Sequence, residues 1–219
     1  MKKIATLLVL FICIVKANAQ GNIYTSESFD ELSKDHKVLA ILPFYATLHL
    51  ENSKDITDEN LKKLAEKEGY VVQSALETYF LKQKSKKKFE VTFQNIQITN
   101  DLLAKNNISL DNLDVYTSKK LANLLGVDGI ISGNLTLKAL ISEGVSTDFD
   151  IFDYLLGDSG YGRIAIKIAD GKTSKLLWKY ENKITKKSGK DTYEIITDMM
   201  KKAARKFPYE KEKKRKKKN

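Results

Sequence analysis

Few residues in this 219-residue chain have the types and spacing that chemistry requires. Histidine occurs twice, as His36 and His49, on either side of an apolar run at residues 38–44. Neither stands in an H-x-x-x-H or H-E-x-x-H pattern, so spacing gives no metal-binding helix face. The single cysteine, Cys13, lies in an apolar stretch near the N-terminus and supplies no thiol nucleophile or zinc site to a folded domain. Asp148, Asp150 and Asp153 suggest calcium, but Phe152 and Asp153 stand where an EF-hand loop places its fifth ligand and its turn glycine. Gly126-Val127-Asp128-Gly129 leads into a strand, whereas a phosphate loop must follow one and open a helix. No G-x-S-x-G elbow, Walker loop or dinucleotide fingerprint is present in the sequence. The expectation is a protein without catalytic residues, metal or cofactor.

Chemistry of another kind sits at residues 141–160, ISEGVSTDFDIFDYLLGDSG. This segment carries Glu143, Asp148, Asp150, Asp153 and Asp158 with no lysine or arginine, a formal charge of −5 inside a basic chain. It also holds Phe149, Phe152 and Leu156, more apolar surface than a solvated loop needs. Two readings stand. The aromatics fold back on a sheet as part of a long connection. Alternatively they form a recognition arm, with Phe149, Phe152 and Leu156 as anchors and Asp148, Asp150 and Asp153 selecting a basic partner.

The ends read separately from the domain. Residues 1–19 have Lys2 and Lys3, an apolar run and Ala17-Asn18-Ala19, the layout of a cleaved export signal. The chain would then begin at Gln20 and be periplasmic, secreted or peripheral to an outer membrane. The formal charge of +10 falls by three when Lys2, Lys3 and Lys16 leave. Residues 210–219, EKEKKRKKKN, hold seven basic and two acidic residues, a further +5, so the body keeps about +2. A nucleic-acid partner is therefore not expected. Lys213, Lys214, Arg215, Lys216, Lys217 and Lys218 make either a solvated tail or an electrostatic contact with an anionic membrane or lipopolysaccharide surface.

The elements that must position all this follow from periodicity. After a flexible lead-in at residues 20–37, residues 38–44 (VLAILPF) read as a buried central strand stopped by Pro43. Thr57 caps a helix whose stripe runs through Leu61, Leu64, Val72, Leu76 and Phe80. Residues 89–93 alternate as a second strand. Residues 95–114 are irregular, with a short helix at 102–105, and Asp114 caps a helix that stops at Gly126. Ile131, Gly133, Leu135 and Leu137 alternate in a long strand. A hairpin follows across Asp170-Gly171, with Leu176, Trp178 and Tyr180 on one face and Trp178 buried against a final helix that Pro208 ends. The order implies one α/β domain over residues 38–209: a three-layer arrangement with a mixed sheet of about five strands, parallel core plus antiparallel hairpin, and helices packed on it.

VLAILPF at 38–44, LANLLGVDGIISGNLTL at 121–137 and IADGKTSKLLWKY at 168–180 resemble the CsgG-like periplasmic proteins. That group includes the curli-secretion lipoprotein, the penicillin-binding-protein activator lipoproteins and the N-terminal domain of TolB. Pro43, Gly126, Asp128, Gly133 and Trp178 match positions that shape the fold. The resemblance implies a non-enzymatic envelope adaptor or scaffold working through protein contacts, with envelope proteins or further copies of itself as partners. The alternative it implies is a subunit of an outer-membrane secretion assembly of the curli-transport type. This chain lacks the lipidated cysteine that follows the signal in lipoprotein members.

Overall fold

The computed structural model describes residues 23–51, 57–84, 89–140, 161–184, 198 and 207–209. The expected signal peptide, the segment 141–160, most of the final helix and the tail 210–219 lie outside the described residues. A mixed sheet of seven strands organises the rest: β1 (Ile23–Thr25), β2 (Val38–Ile41), β3 (Tyr45–Glu51), β4 (Thr92–Phe93), β5 (Gly129–Leu140), β6 (Tyr161–Asp170) and β7 (Leu176–Ile184). Its order is β1-β7-β6-β5-β2-β4, with β3 also on β5. β2, β3, β4 and β5 are parallel, and β5-β6-β7-β1 run antiparallel. The helices are α1 (Phe29–Ser33), α2 (Asp58–Lys84), α3 (Ile96–Lys105) and α4 (Ser118–Leu125), with a 3-10 turn at Leu113–Val115. The expected mixed α/β sheet with a parallel core is therefore present, with two strands more than the sequence suggested.

The two faces of the sheet carry separate cores. Leu39, Ile41, Ile131, Leu135, Ile164, Ile166, Ile168 and Trp178 pack against Val72, Leu76 and Phe80 of α2. Ala40, Leu42 and Ile130, which point the other way, pack against Leu103 of α3 and Leu121, Ala122 and Leu125 of α4. Alternate residues of β2 and β5 thus feed opposite cores, as strand pleating requires. Thr57 caps α2 by accepting from the Asn60 N–H at 3.2 Å. Gly126 closes α4 at φ 68°, the left-handed conformation that favours glycine.

Four local expectations change. The strand read at 38–44 ends earlier, at Ile41, and a further strand resumes past the kink at Pro43: Ile41 pairs with Ile131 and Tyr45 with Asn134, so the β2–β3 side has one residue more than β5. That extra residue switches the core-facing set from Leu39 and Ile41 to Phe44 and Leu48. The helix expected at 102–105 begins at Ile96, because the Asn95 side chain accepts from the Gln97 and Ile98 N–H groups. Thr117, not Asp114, caps α4 by accepting from the Lys120 N–H. Leu176 does not share a face with Trp178: the register shifts after Ile168, so Leu177 and Trp178 are both fully buried and Leu176 is 37% exposed. In addition, residues 23–33 of the expected lead-in form β1 and α1, and Phe29 joins the core.

The kink is completed by α2. Proline supplies no N–H to the ladder. Gly69 accepts from the Phe44 N–H at 3.1 Å, and Gln73, one turn on and fully buried, donates to the Ile41 carbonyl at 2.7 Å. A Cβ on Gly69 would stand 2.1 Å from the Phe44 carbonyl oxygen. Glycine to alanine inside a helix ordinarily stabilises by about 0.5–1 kcal/mol. Here Gly69→Ala is expected to have the opposite sign and cost about 1–3 kcal/mol through overpacking. Urea unfolding reads the sign directly, and a more stable Gly69→Ala protein would mean that α2 does not lie against this kink.

Candidate binding face

Among the described residues, the second face of the sheet is only partly roofed. α4, with eight residues, covers Ile130, and beyond it β5 presents Ser132, Asn134 and Thr136. Register aligns these with side chains of the same parity on β6 and β7. Ser132 lies beside Lys167 and Lys179, Asn134 beside Ala165 and Glu181, and Thr136 beside Arg163 and Lys183. On the other flank Tyr45 pairs with Asn134 and Thr47 with Thr136. Four cations therefore surround one carboxylate on an open sheet. Arg163 and Lys183 are exposed, and Lys167, Lys179 and Glu181 are half-buried. The Lys179 ammonium bonds the Glu181 carboxylate at 2.5 Å. That bond holds the Glu181 carboxyl below its usual value of 4.5, outweighing burial, with the charges of Lys179, Arg163 and Lys167 adding to it. Glu181 thus stays ionised and neutralises one of the four, leaving about +3 on this face.

Two of the depressions among the described residues lie at this face. A groove of about 490 Å³ runs between the sheet and the 3-10 turn, lined by Tyr45, Leu113, Tyr116, Ser132, Asn134 and Lys167. Tyr45 is 46% exposed there, and Lys120 sits 4.6 Å above the Tyr116 ring. A smaller depression of about 260 Å³ lies at Arg163, Glu181, Asn182 and Lys183. Aromatic walls, amide and hydroxyl groups and a cationic rim are what an acidic, aromatic-bearing segment requires of its receptor.

The expected site residues do not enter this geometry. Asp148, Phe149, Asp150, Phe152, Asp153 and Leu156 lie outside the described residues, as do Lys213, Lys214, Arg215, Lys216, Lys217 and Lys218. Conversely, Arg163, Lys167 and Lys179 alternate with the apolar residues of the hairpin in sequence, but only strand register sets them beside Ser132 and Asn134. Among the described residues no group of three or more His, Cys, Asp or Glu side chains is placed to hold a metal ion. No helix among them is long and apolar enough to cross a membrane.

His36 has the partners that its spacing did not show. Its Nδ1 lies 2.6 Å from the Tyr209 hydroxyl and its Nε2 3.0 Å from Asp170 Oδ1. The other Asp170 oxygen accepts from the Thr173 N–H at 2.6 Å and the Thr173 hydroxyl at 2.5 Å. Both side chains of the His36–Asp170 pair are 1% exposed, and Tyr209 is 4% exposed. No substrate reaches so enclosed a set, so its chemistry is that of a clasp holding residues 207–209 against the start of β2 and the β6–β7 turn. Nearby, Asp128 Oδ2 accepts the Lys37 and Val38 N–H groups at 2.8 and 2.9 Å, locking the parallel start of β2 beside β5.

No family model matches the chain, and no curated protein matches it in sequence. Solved structures do. The lipoprotein GNA1162 from Neisseria meningitidis superposes with a TM-score of 0.36 at 10% identity, over 68% of this chain and 79% of that one. The LpoB C-terminal domain from Salmonella enterica gives 0.32 at 9%, over 81% and 93%. A PelC dodecamer from Paraburkholderia phytofirmans gives 0.36 at 9%, over 81% and 94%. The chain is similar in structure to LpoB, PelC and GNA1162, at low identity.

The clasp makes stability depend on acid. Burial works to raise the Asp170 pKa, but hydrogen bonds from the Thr173 hydroxyl, His36 and the Thr173 and Lys172 N–H groups bring it below 3.8. Asp128 is likewise lowered: burial opposes, and the Val38 and Lys37 N–H groups with the charges of His36 and Lys172 prevail. A depressed carboxyl contributes stability that is present above its unfolded pKa and lost as pH falls through its folded one. The urea midpoint should therefore fall as pH drops from about 5 towards 2. Asp170→Asn should be less stable at neutral pH, by about 1.5–3 kcal/mol, with a flatter acid limb. An unchanged acid limb in that variant would remove Asp170 from the clasp.

Proposed function

We propose that this chain is an exported envelope protein that acts as a binding and scaffold domain through protein contacts and not through catalysis. The observation that carries the reading is the open sheet face, where Arg163, Lys167, Lys179 and Lys183 surround Glu181 beside a groove walled by Tyr45 and Tyr116. A sheet face left unroofed, cationic and next to aromatic side chains suits an acidic segment of a partner protein: charge selects it and the groove takes its apolar side chains. On the same reading the acidic segment 141–160 is the chain's second contact element, with Phe149, Phe152 and Leu156 as anchors and Asp148, Asp150 and Asp153 choosing a basic surface. One domain would then present contacts of opposite sign, as an adaptor between two partners requires.

The test uses a fluorescent peptide of sequence DFDIFDYLL as a probe of acidic, aromatic chemistry. Lys167→Glu with Lys183→Glu should weaken its binding at least tenfold and flatten the salt dependence, while the melting temperature stays within a few degrees. Both side chains reach solvent, so charge reversal costs the fold little. Equal binding by the reversed protein would remove this face from the function.

A further inference from the structure

The four cations of the open sheet face stand in two pairs. Lys167 of β6 lies directly opposite Lys179 of β7, and Arg163 lies directly opposite Lys183. Side chains opposed in this way have Cβ atoms about 5 Å apart, and like charges so placed destabilise a sheet. On both strands the two pairs are four residues apart, roughly 13 Å at about 3.3 Å per residue. Glu181 occupies the midpoint, opposite the buried and uncharged Ala165. Its carboxylate bonds Lys179, whereas Arg163, Lys167 and Lys183 have no ion pair among the described residues.

Each pair has a depression of its own. The groove of about 490 Å³ reaches Lys167, and the depression of about 260 Å³ holds Arg163 and Lys183. Two carboxylates border them: Glu181, and the exposed Asp114 on the 3-10 turn across the groove. Tyr24 of β1 lies opposite Lys179 and is 49% exposed, so the first pair has Tyr24 on one flank and Tyr45 on the other. An anion set between the members of a pair meets two cations at once. One set midway between the pairs meets Glu181. The face is therefore two anion positions divided by a carboxylate, which a uniform basic patch is not.

We propose that this face reads an extended segment of a partner protein with two carboxylates four residues apart, one for each cation pair, and an uncharged residue midway over Glu181 and Ala165. The inference rests on the sheet-face reading above and adds the spacing that the face selects. In an extended chain the side chains at i, i+2 and i+4 point the same way, and i and i+4 stand roughly 13 Å apart. Such a segment, laid along β6 and β7, repeats the period of the strands beneath it. A helix fits less well, because its same-face residues rise roughly 6 Å over four positions and 10.5 Å over seven. Acids only two residues apart would press one carboxylate against Glu181. Glu181 thus acts as a spacer that sets which acidic segments are accepted.

The experiment is an amide chemical-shift titration by NMR at low salt, which follows weak binding and localises it. It compares two peptides of equal composition and charge, GEAQAEG with acids four apart and GAEQEAG with acids two apart. The signal-free protein should bind GEAQAEG about fivefold more tightly, the upper worth of one exposed charge pair, with shifts along β6 and β7. Arg163→Gln with Lys183→Gln should abolish that preference by weakening GEAQAEG. Glu181→Gln should narrow it from the other side, by strengthening GAEQEAG. Arg163→Lys keeps the charge and should keep the preference, and melting temperatures within a few degrees of the parent show that each variant is folded. If GEAQAEG does not bind, if the two peptides bind alike, or if the shifts fall elsewhere, the spacing proposal fails. Should Lys167→Glu with Lys183→Glu still weaken DFDIFDYLL in that case, the broader sheet-face reading stands without it. If charge reversal leaves DFDIFDYLL binding unchanged, the sheet-face reading falls and this proposal falls with it.

Discussion

The position of Phe44 is the constraint on which the parallel half of the structure depends. Its backbone N–H is taken by Gly69 of α2, and its ring lies where Gly133 of β5 has no side chain: a Cβ there would be 2.3 Å from Phe44 Cε1 and 2.0 Å from the Ala165 carbonyl oxygen. Two glycines 64 positions apart in sequence leave room for one residue, Gly133 for its ring and Gly69 for its backbone carbonyl. The ring can enter only because Pro43 and the extra residue at the kink switch the parity of the strand. Without that switch Tyr45 would enter the core, and Phe44 would stand in the groove. The kink thus decides both which ring fills the core and which one lines the candidate binding surface. Gln73 closes the arrangement by donating to the Ile41 carbonyl and by exchanging hydrogen bonds with Asn100 of α3, which joins the helices of the two cores.

At the other end of the strands Asp128 and the clasp play the complementary part. Asp128 accepts two N–H groups from the start of β2 through its side chain and the Gly171 N–H through its carbonyl. One residue therefore aligns β2, β5 and the β6–β7 turn. His36 and Tyr209 then bring residues 207–209 to the same place, and the Tyr209 ring packs edge-on to Phe29 at 5.2 Å. Burial first, then the Asp170 and Asp128 carboxylates, push the Tyr209 hydroxyl well above its usual pKa, so it stays neutral at any physiological pH. Buried polar groups that are fully partnered specify an arrangement rather than merely tolerating it.

How much of this was legible in the sequence depends on the range of each interaction. The joint at residues 121–137 was readable because its causes are local: apolar residues at helical spacing, a glycine in the left-handed conformation, then strict alternation. The continuation into β3 was not, because a proline in an apolar run reads as a strand end. The alternation of Ala46 and Leu48 was present, but in the opposite parity to Leu39 and Ile41. α3 was underestimated because Asn95, Thr99 and Asn100 are weak helix formers; the Asn95 cap and the Glu77 carboxylate, which accepts from the Ile96 N–H, override that preference. The partners of His36 lie 134 and 173 positions away, beyond any spacing rule. Of the binding face, alternation gave the outward direction of Arg163, Lys167 and Lys179. Their juxtaposition with Asn134 and Tyr45 needed the pairing of four strands.

The open face itself follows from a mismatch of lengths. At about 1.5 Å per residue, the eight residues of α4 extend roughly 12 Å, enough to cover three or four residues of a strand. β5 is twelve residues long. Its sequence conforms to this: after Ile130 that side carries Ser132, Asn134 and Thr136, where none of the described helices reaches. On the opposite side Ile131 and Leu135 continue the core under the 27-residue α2. Among the described residues α3 and α4 are the helices packed on that side, and they leave Ser132, Asn134 and Thr136 uncovered or half-covered. In β6 and β7 that area is filled by Arg163, Lys167, Lys179 and Lys183 rather than by the threonines and serines that solubility alone would need. Like charges on neighbouring strands repel, at a cost of up to about 1 kcal/mol per close pair, and Glu181 offsets only part of it. A basic surface kept against that cost, beside a groove with two tyrosines, supports the proposal of an occupant of opposite charge.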